Sequence, residues 1–374
     1  MNIAILGGTK FFGRILTDHL LKAGHELTIY SRVKTLPTEL EGKVRHVQVD
    51  IAQQSEELPE ARPTRLRPFF EGIPPHDIVI DNISMFTGDV AAITSVLNTS
   101  KLQQFVLCSS ALAYDPWNLG FTSLEEYREH LLKEDDINLN AIGFRPQFPS
   151  MFNGFLDLYA TGKRQCELEL MSAARESGFN YTIMRPAVIE GPGDFHWRTW
   201  YWAQRLLDHK PILVPPSTPM SIYRHVFAPD VADAFFRVIG NPVCYNQAYN
   251  VCGDEILTVN EYLSKMAELL GFEKPQTIPM PSHDISESKL EFPVCFSGFA
   301  VLQDNSKLKR DTGFIPTPFY AWMNETLSWL LSENSAGRAP ASLGYEQREI
   351  ESKQAILFLK EESKKDIGFA PSPR

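Results

Sequence analysis

The stretch ILGGTKFFG, residues 5–13, decides how this chain is read. It follows the apolar run NIAIL (2–6) and opens the segment FFGRILTDHLLKAG (11–24), where Ile15, Leu16, Leu20 and Leu21 recur at helical spacing. A glycine turn between a strand and a helix is the setting a dinucleotide site needs. Glycines let the backbone turn tightly and let a pyrophosphate reach free N–H groups at the helix start, where the macrodipole also favours an anion. Gly7 and Gly13 hold the first and last places of a G-x-x-G-x-x-G loop, with Lys10 in the middle place. Thr9, Lys10, Phe11 and Phe12 are the remaining expected cofactor contacts of this loop.

Outward from the turn, short apolar runs alternate with helical ones. ELTIYS (26–31), RHVQVD (45–50), DIVID (77–81), QFVLCSS (104–110), NYTIMRP (180–186) and QAYNVCG (247–253) read as strands. DVAAITSVLN (89–98) and the region 152–178 read as helices. The alternation predicts an α/β fold: a Rossmann-type doubly wound parallel sheet covered on both faces, with a smaller C-terminal substrate-binding domain. The expected division is a dinucleotide-binding domain over 1–190, with segments returning near 222–253, and the smaller domain over 191–333. Helices are expected over 258–271, capped by Thr258 and stopped at Gly271, and over 317–333. The tail 334–374 is polar, and 345–365 reads as one amphipathic helix that docks on the body or a partner. The proline-rich stretch 57–77 reads as a surface excursion. The stretch 115–150 reads as an insertion over the active site.

The chain has 374 residues and a formal net charge of −10, which argues against nucleic acid as the main partner. Its five cysteines, at 108, 166, 244, 252 and 295, include no C-x-x-C pair. Reduced thiols and a cytoplasmic location follow as expectations. No run approaches the ~18 apolar residues of a membrane span, and no metal-binding motif occurs.

The end of the second strand bears on cofactor choice. A carboxylate there would accept from a ribose 2′-hydroxyl. This chain has Ser31, Arg32 and Lys34 instead. A guanidinium suits a 2′-phosphate, and Lys10 adds a second cation, so NADP is expected over NAD.

A tyrosine four residues before a lysine occurs twice, as Tyr30–Lys34 and Tyr159–Lys163. The first pair sits at the adenosine end, far from any hydride. The second lies on the helix after the fifth strand. A phenol, with pKa about 10, is a poor base near neutrality until a cation lies beside it, and i+4 spacing puts both groups on one helical face. CSSALAY (108–114) ends the fifth strand, where ligands gather in open α/β sheets, and MRPAVIEGPGD (184–194) closes the sixth.

With these motifs in this order, the chain resembles the extended branch of the short-chain dehydrogenase/reductase superfamily, the group of NAD-dependent epimerases and dehydratases. GGTKFFG resembles in particular the G-G-T-x-F-x-G loop of its atypical members. The resemblance covers roughly residues 1–270. It implies a catalytic set of Ser110, Tyr159 and Lys163. Tyr159 would exchange a proton with a substrate oxygen, Lys163 would hold the phenol and the nicotinamide ribose, and Ser110 would donate to the same oxygen. It places Asp50 and Ile51 at the adenine, Asn82 and Ser109 on the nicotinamide side, and Pro186 and Ala187 against the nicotinamide ring. Glu190, standing where the family often has tyrosine, is an acid/base candidate or a solvated or ion-paired loop residue. His196, Arg198, His225 and Arg224 are candidate substrate contacts. Arg224 lies one place from the register of the family's substrate-diphosphate arginine, which Tyr223 occupies. FHWRTWYW (195–202) reads either as an aromatic substrate wall or as packing of the smaller domain. The implied activity is reversible hydride transfer at a secondary alcohol or ketone of a nucleotide-sugar-like substrate, in a homodimer built on the helices at 89–99 and 152–178. An NADPH-dependent ketone reductase and a non-catalytic nucleotide-sensing or RNA-associated protein are the alternatives.

Overall fold

The computed structural model describes residues 1–51, 61–114, 123–143, 153–214, 222–280, 301–342 and 344–367. Seven parallel strands form the main sheet: β1 (Asn2–Leu6), β2 (Glu26–Ser31), β3 (Arg45–Gln48), β4 (Ile78–Asp81), β5 (Gln104–Cys108), β6 (Asn180–Pro186) and, returning late in the chain, β10 (Gln247–Val251). Their order is β10-β6-β5-β4-β1-β2-β3. β1 lies between β2 and β4, so successive crossovers leave it in opposite directions and open a crevice at its carboxyl end. Ile3, Ile5, Ile78, Ile80 and Val106 are fully buried on one face, and Ala4, Leu6, Val79, Phe105 and Leu107 on the other. This two-sided burial is why the strands read as continuous apolar runs.

The helices α1 (Phe11–Lys22), α3 (Asp89–Val96), α5 (Asn153–Ser177) and α7 (Ala228–Val238) pack on the sheet's faces, with α1 beside α7 and α3 beside α5. The stretch 57–77 departs from expectation, because it contains the helix α2 (Arg62–Phe70). Proline is tolerated in the first turn of a helix, and Pro63 sits there. Leu66 and Phe70 are buried, and Arg62 is buried against Asp89 and the carbonyl of Ile51. Tyr30 is a strand residue, stacked on Phe70 with ring centres 4.7 Å apart.

A second core gathers α6 (Arg198–Leu207), β8 (Ile212–Val214), α8 (Val259–Leu269) and the helix Phe319–Ser335. Thr258 caps α8 in a capping box with Glu261, as its sequence implies. Trp200, Tyr201 and Trp202 are buried in this core, and Trp197 stacks on Trp329. The aromatic run therefore builds the lobe. The small sheet β7 (Val188–Glu190), β9 (Ile222–Phe227) and β11 (Ile256–Thr258) joins the two cores. β8 pairs with β12 (Thr277–Pro279), and the helix Arg348–Ile367 packs on them through Ala355. The tail helix thus docks on the body. Cys108, Cys166, Cys244 and Cys252 are buried free thiols, and Cys295 lies outside the described residues. Among the described residues no helix is long and apolar enough to cross a membrane.

Candidate active site

Gly7 adopts φ +91°, in the left-handed region, and a Cβ there would stand 2.5 Å from Cγ2 of Ile83. At Gly13 a Cβ would stand 2.6 Å from the Gly7 carbonyl oxygen and 3.3 Å from the Asn82 amide nitrogen. The first turn of α1 therefore lies directly on the loop it leaves. α1 begins without a side-chain cap and without an acidic residue in its first turn. Its leading N–H groups remain open to an anion. Phe11 is itself left-handed, at φ +50°, and its ring meets that of Phe195 edge-on at 6.1 Å. Phe12 instead packs on Phe235 of α7. Both side-chain polar atoms of Asn82 are buried without a hydrogen-bond partner. A polar ligand group at this turn would satisfy them. Glycine cradle, open helix start and unmet amide together fit a dinucleotide.

Lys163 is buried on α5, and its ammonium donates to the carbonyls of Ser84 and Cys108, each at 2.7 Å. The first lies three residues past β4 and the second ends β5. The first is aimed by a turn that Asp81 builds, accepting from the N–H groups of Ile83 and Ser84 at 2.9 Å and from the Ser84 hydroxyl. Burial works against charge on Lys163. Its neighbours Tyr159, Cys108, Cys166 and Asp81 outweigh that, so its pKa lies above the ordinary lysine value. Tyr159, one turn earlier, is half-buried and stacks on Phe155 at 6.0 Å. The Lys163 ammonium stands 5.6 Å from the centre of its ring. Gly162 lets the helix come this close, since a Cβ there would fall 2.7 Å from the Cα of Phe86 and nearer still to the Met85 carbonyl.

Ser110 follows β5. Its hydroxyl oxygen accepts from the N–H of Leu112 at 3.1 Å, which leaves its proton to be donated elsewhere. Ser109 is turned differently from expectation: its hydroxyl donates to the buried Glu167 of α5. Glu167 in turn takes two bonds from Arg185 of β6. Asp81, Gly162, Glu167 and Arg185 were not singled out from sequence, although Glu167 repeats the four-residue step from Tyr159 to Lys163.

At the adenosine end, Arg32 and Lys34 are exposed, and Ser31 pairs with His46 at 2.9 Å. The backbone of Asp50 and Ile51 is held by arginines of α2, with Arg65 donating to the Asp50 carbonyl and Arg62 to that of Ile51. Pro186 ends β6, and the N–H of Ala187 donates to the Val251 carbonyl at 2.9 Å.

The candidate substrate contacts fare unevenly. Glu190 is fully buried, not solvated: its Oε2 accepts from the Tyr262 hydroxyl at 2.9 Å and lies 3.3 Å from Nδ1 of His225. It sits on β7, an edge strand of the small sheet that pairs with β9 opposite Phe227. Arg198 is committed to Asp194 at 2.8 Å. His196 lies beside Phe195, its pKa lowered by burial and by the nearby Arg198. Arg224 points into the protein and is 6% exposed, donating from Nε to the Gly253 carbonyl. The side chain of Tyr223 and the outer parts of 115–150 lie outside the described residues. The described part, 123–143, seats against β6, β10 and residues 302–304.

Comparison with known proteins bears on the family likeness and the fold. The model of the NAD dependent epimerase/dehydratase family matches residues 152–252, the span holding Tyr159, Lys163 and Glu190. A chloroplast stem-loop binding protein of 41 kDa from Arabidopsis thaliana is 28% identical over 285 residues, which span 74% of this chain and 65% of that protein's length. The fold is shared with the UDP-glucose 4-epimerase of Thermotoga maritima, solved with UDP-glucose (16% identity, TM-score 0.64, 89% of this chain and 100% of that one). It is shared also with the UDP-glucose 4-epimerase of Thermus thermophilus in complex with NAD (19%, TM-score 0.62, 88% and 98%). Chain and relatives have the seven-stranded parallel sheet and flanking helices in common.

Proposed function

We propose, from the premise that this chain is akin to the NAD dependent epimerase/dehydratase family, that it is an enzyme of hydride transfer at a secondary alcohol or ketone. The observation that carries the reading is the buried Lys163 ammonium, fixed by the carbonyls of Ser84, just past β4, and Cys108, at the end of β5, and facing the Tyr159 ring at 5.6 Å. A cation so placed, at the crevice of a doubly wound sheet, sets a fixed positive charge beside the Tyr159 ring.

The glycine turn and the open start of α1 would hold the diphosphate of a nicotinamide dinucleotide, with Asn82 and the backbone at Ala187 toward its nicotinamide end. A bound nicotinamide supplies or accepts the hydride. Tyr159 moves the compensating proton between its hydroxyl and the substrate oxygen. Lys163 stabilises the charge that develops on the phenol oxygen. Ser110 donates to the substrate oxygen and keeps it oriented. The exposed Arg32 and Lys10 favour NADP over NAD, since a 2′-phosphate would find cations and no carboxylate at the end of β2. A nucleotide sugar is the substrate class suggested by the relatives of this fold that carry UDP-glucose. Fluorescence titration with NADPH and NADH, followed by an assay for interconversion of UDP-glucose and UDP-galactose, tests the reading. A protein that binds neither dinucleotide refutes it.

The stem-loop binding relative favours a second reading, in which RNA is the ligand. The formal charge of −10 opposes it. A mobility-shift titration with a stem-loop RNA at about 150 mM salt separates the two.

A further inference from the structure

The guanidinium of Arg185 serves two seats at once. On one side Nε and Nη2 donate to the two carboxylate oxygens of Glu167, at 3.0 and 2.8 Å. On the other side Nη1 donates to the Tyr114 hydroxyl at 3.0 Å and to the Glu134 carbonyl at 2.8 Å. Both partners of the ion pair are buried, Arg185 at 2% and Glu167 at 0% exposure.

Each seat belongs to a different part of the site. Glu167 lies on α5 one turn past Lys163, so Tyr159, Lys163 and Glu167 share one helical face. Glu134 belongs to segment 123–143, which separates β5 from α5. The Tyr114 hydroxyl lies 3.1 Å from the Lys133 carbonyl and 2.8 Å from Oδ1 of Asn250, whose N–H donates to Glu134 at 2.9 Å. Gln303 adds bonds to the Arg185 carbonyl and to Asn250, each at 2.9 Å.

A guanidinium is a rigid planar fork. Here Nε, Nη1 and Nη2 are all engaged, so turning the plane to improve one seat breaks the other. A buried ion pair is weak evidence for stability, and its best-attested use is to fix one arrangement among several. We propose that Arg185 is a positioning residue that couples the seat of the inserted segment 123–143 to the Tyr159–Lys163 face of α5, so that the two move as one body. This rests on the reading of Tyr159 and Lys163 as the reacting pair.

The test is hydrogen–deuterium exchange on the full chain without ligand, together with NADPH titration. Tyr114→Phe removes one hydroxyl from the segment's seat and leaves Glu167 and Arg185 in place. Arg185→Lys keeps a charge near Glu167 but loses the fork. Arg205→Met breaks another buried arginine–glutamate pair, Arg205–Glu351, in the other core and serves as the reference for general destabilisation. The expected result is faster exchange in Tyr114→Phe both over 132–137 and over 156–166, with the second stretch unchanged in Arg205→Met. NADPH dissociation constants should rise about tenfold in Arg185→Lys. Faster exchange in Tyr114→Phe confined to 132–137 overturns the coupling, as does an NADPH affinity within about twofold of wild type in Arg185→Lys. The exchange comparison needs no ligand, so a wild-type protein that ignores NADPH would refute the functional reading and leave this test standing.

Discussion

A Cβ on Gly162 would fall 2.7 Å from the Cα of Phe86, so the helix carrying Tyr159 and Lys163 rests directly on the backbone that follows β4. That contact is backbone on one side and has nothing flexible to give way. Gly162→Ala should therefore push α5 outward and lift Lys163 from the Ser84 carbonyl. Overpacking of this kind costs roughly 1–3 kcal/mol. A lowered melting temperature with weakened NADPH binding is the expected result, and a variant that binds as tightly as wild type would refute it.

Tyr159→Phe keeps the ring stacked on Phe155 and removes only the hydroxyl. Turnover in the sugar-nucleotide assay should fall by about 10²–10⁴, the usual contribution of a positioned acid/base, while NADPH affinity holds. Lys163→Met should lose both, because the carbonyls of Ser84 and Cys108 forfeit their donor in a buried place. Steady-state kinetics beside a binding isotherm distinguish the two patterns.

The parallel sheet was legible because its strands are apolar on both faces, and the glycine turn because its spacing is local. What escaped the sequence depends on distant partners. α2 hid behind Pro63, Pro68 and three arginines, a composition that reads as loop until Asp89 is known to receive Arg62. Glu190 reads as an acid/base candidate or a solvated or ion-paired loop residue, and nothing local chooses among these because its partners, Tyr262 and His225, lie on other elements. Glu167 was within reach, since it continues the face of Tyr159 and Lys163, but nothing local announces the bidentate Arg185. Arg224 illustrates strand parity: the single-residue offset from Tyr223 turns it into the interior, onto the Gly253 carbonyl.

Glu351 receives both Arg205 and Arg348, and all are nearly fully buried. Replacing it with alanine removes a buried carboxylate that both guanidiniums bond, while Arg348 keeps Asp208. Removing one partner of a buried pair costs about 3–5 kcal/mol. Glu351→Ala should lower the melting temperature by several degrees and leave dinucleotide affinity unchanged, since neither arginine approaches the glycine turn. Differential scanning calorimetry with a parallel binding titration checks both halves.

His76 lies between the Tyr30 hydroxyl at 3.3 Å and Oδ1 of Asn2 at 3.1 Å, and burial pushes its pKa down to about 4. The unfolded chain then binds a proton from about pH 6.5 downward that the folded chain refuses. Its contribution to stability is whole above about pH 6.5 and drains away as pH falls toward 4. Urea midpoints at pH 7 and pH 5 should differ less in His76→Gln than in wild type. An unchanged difference would exclude His76 as the source.

The bond between Arg205 and Glu351 joins residues 146 positions apart. The lobe built on α6 therefore acquires this contact only once the segment carrying Glu351 has been synthesised. A truncation that removes Glu351 takes a buried partner away from α6.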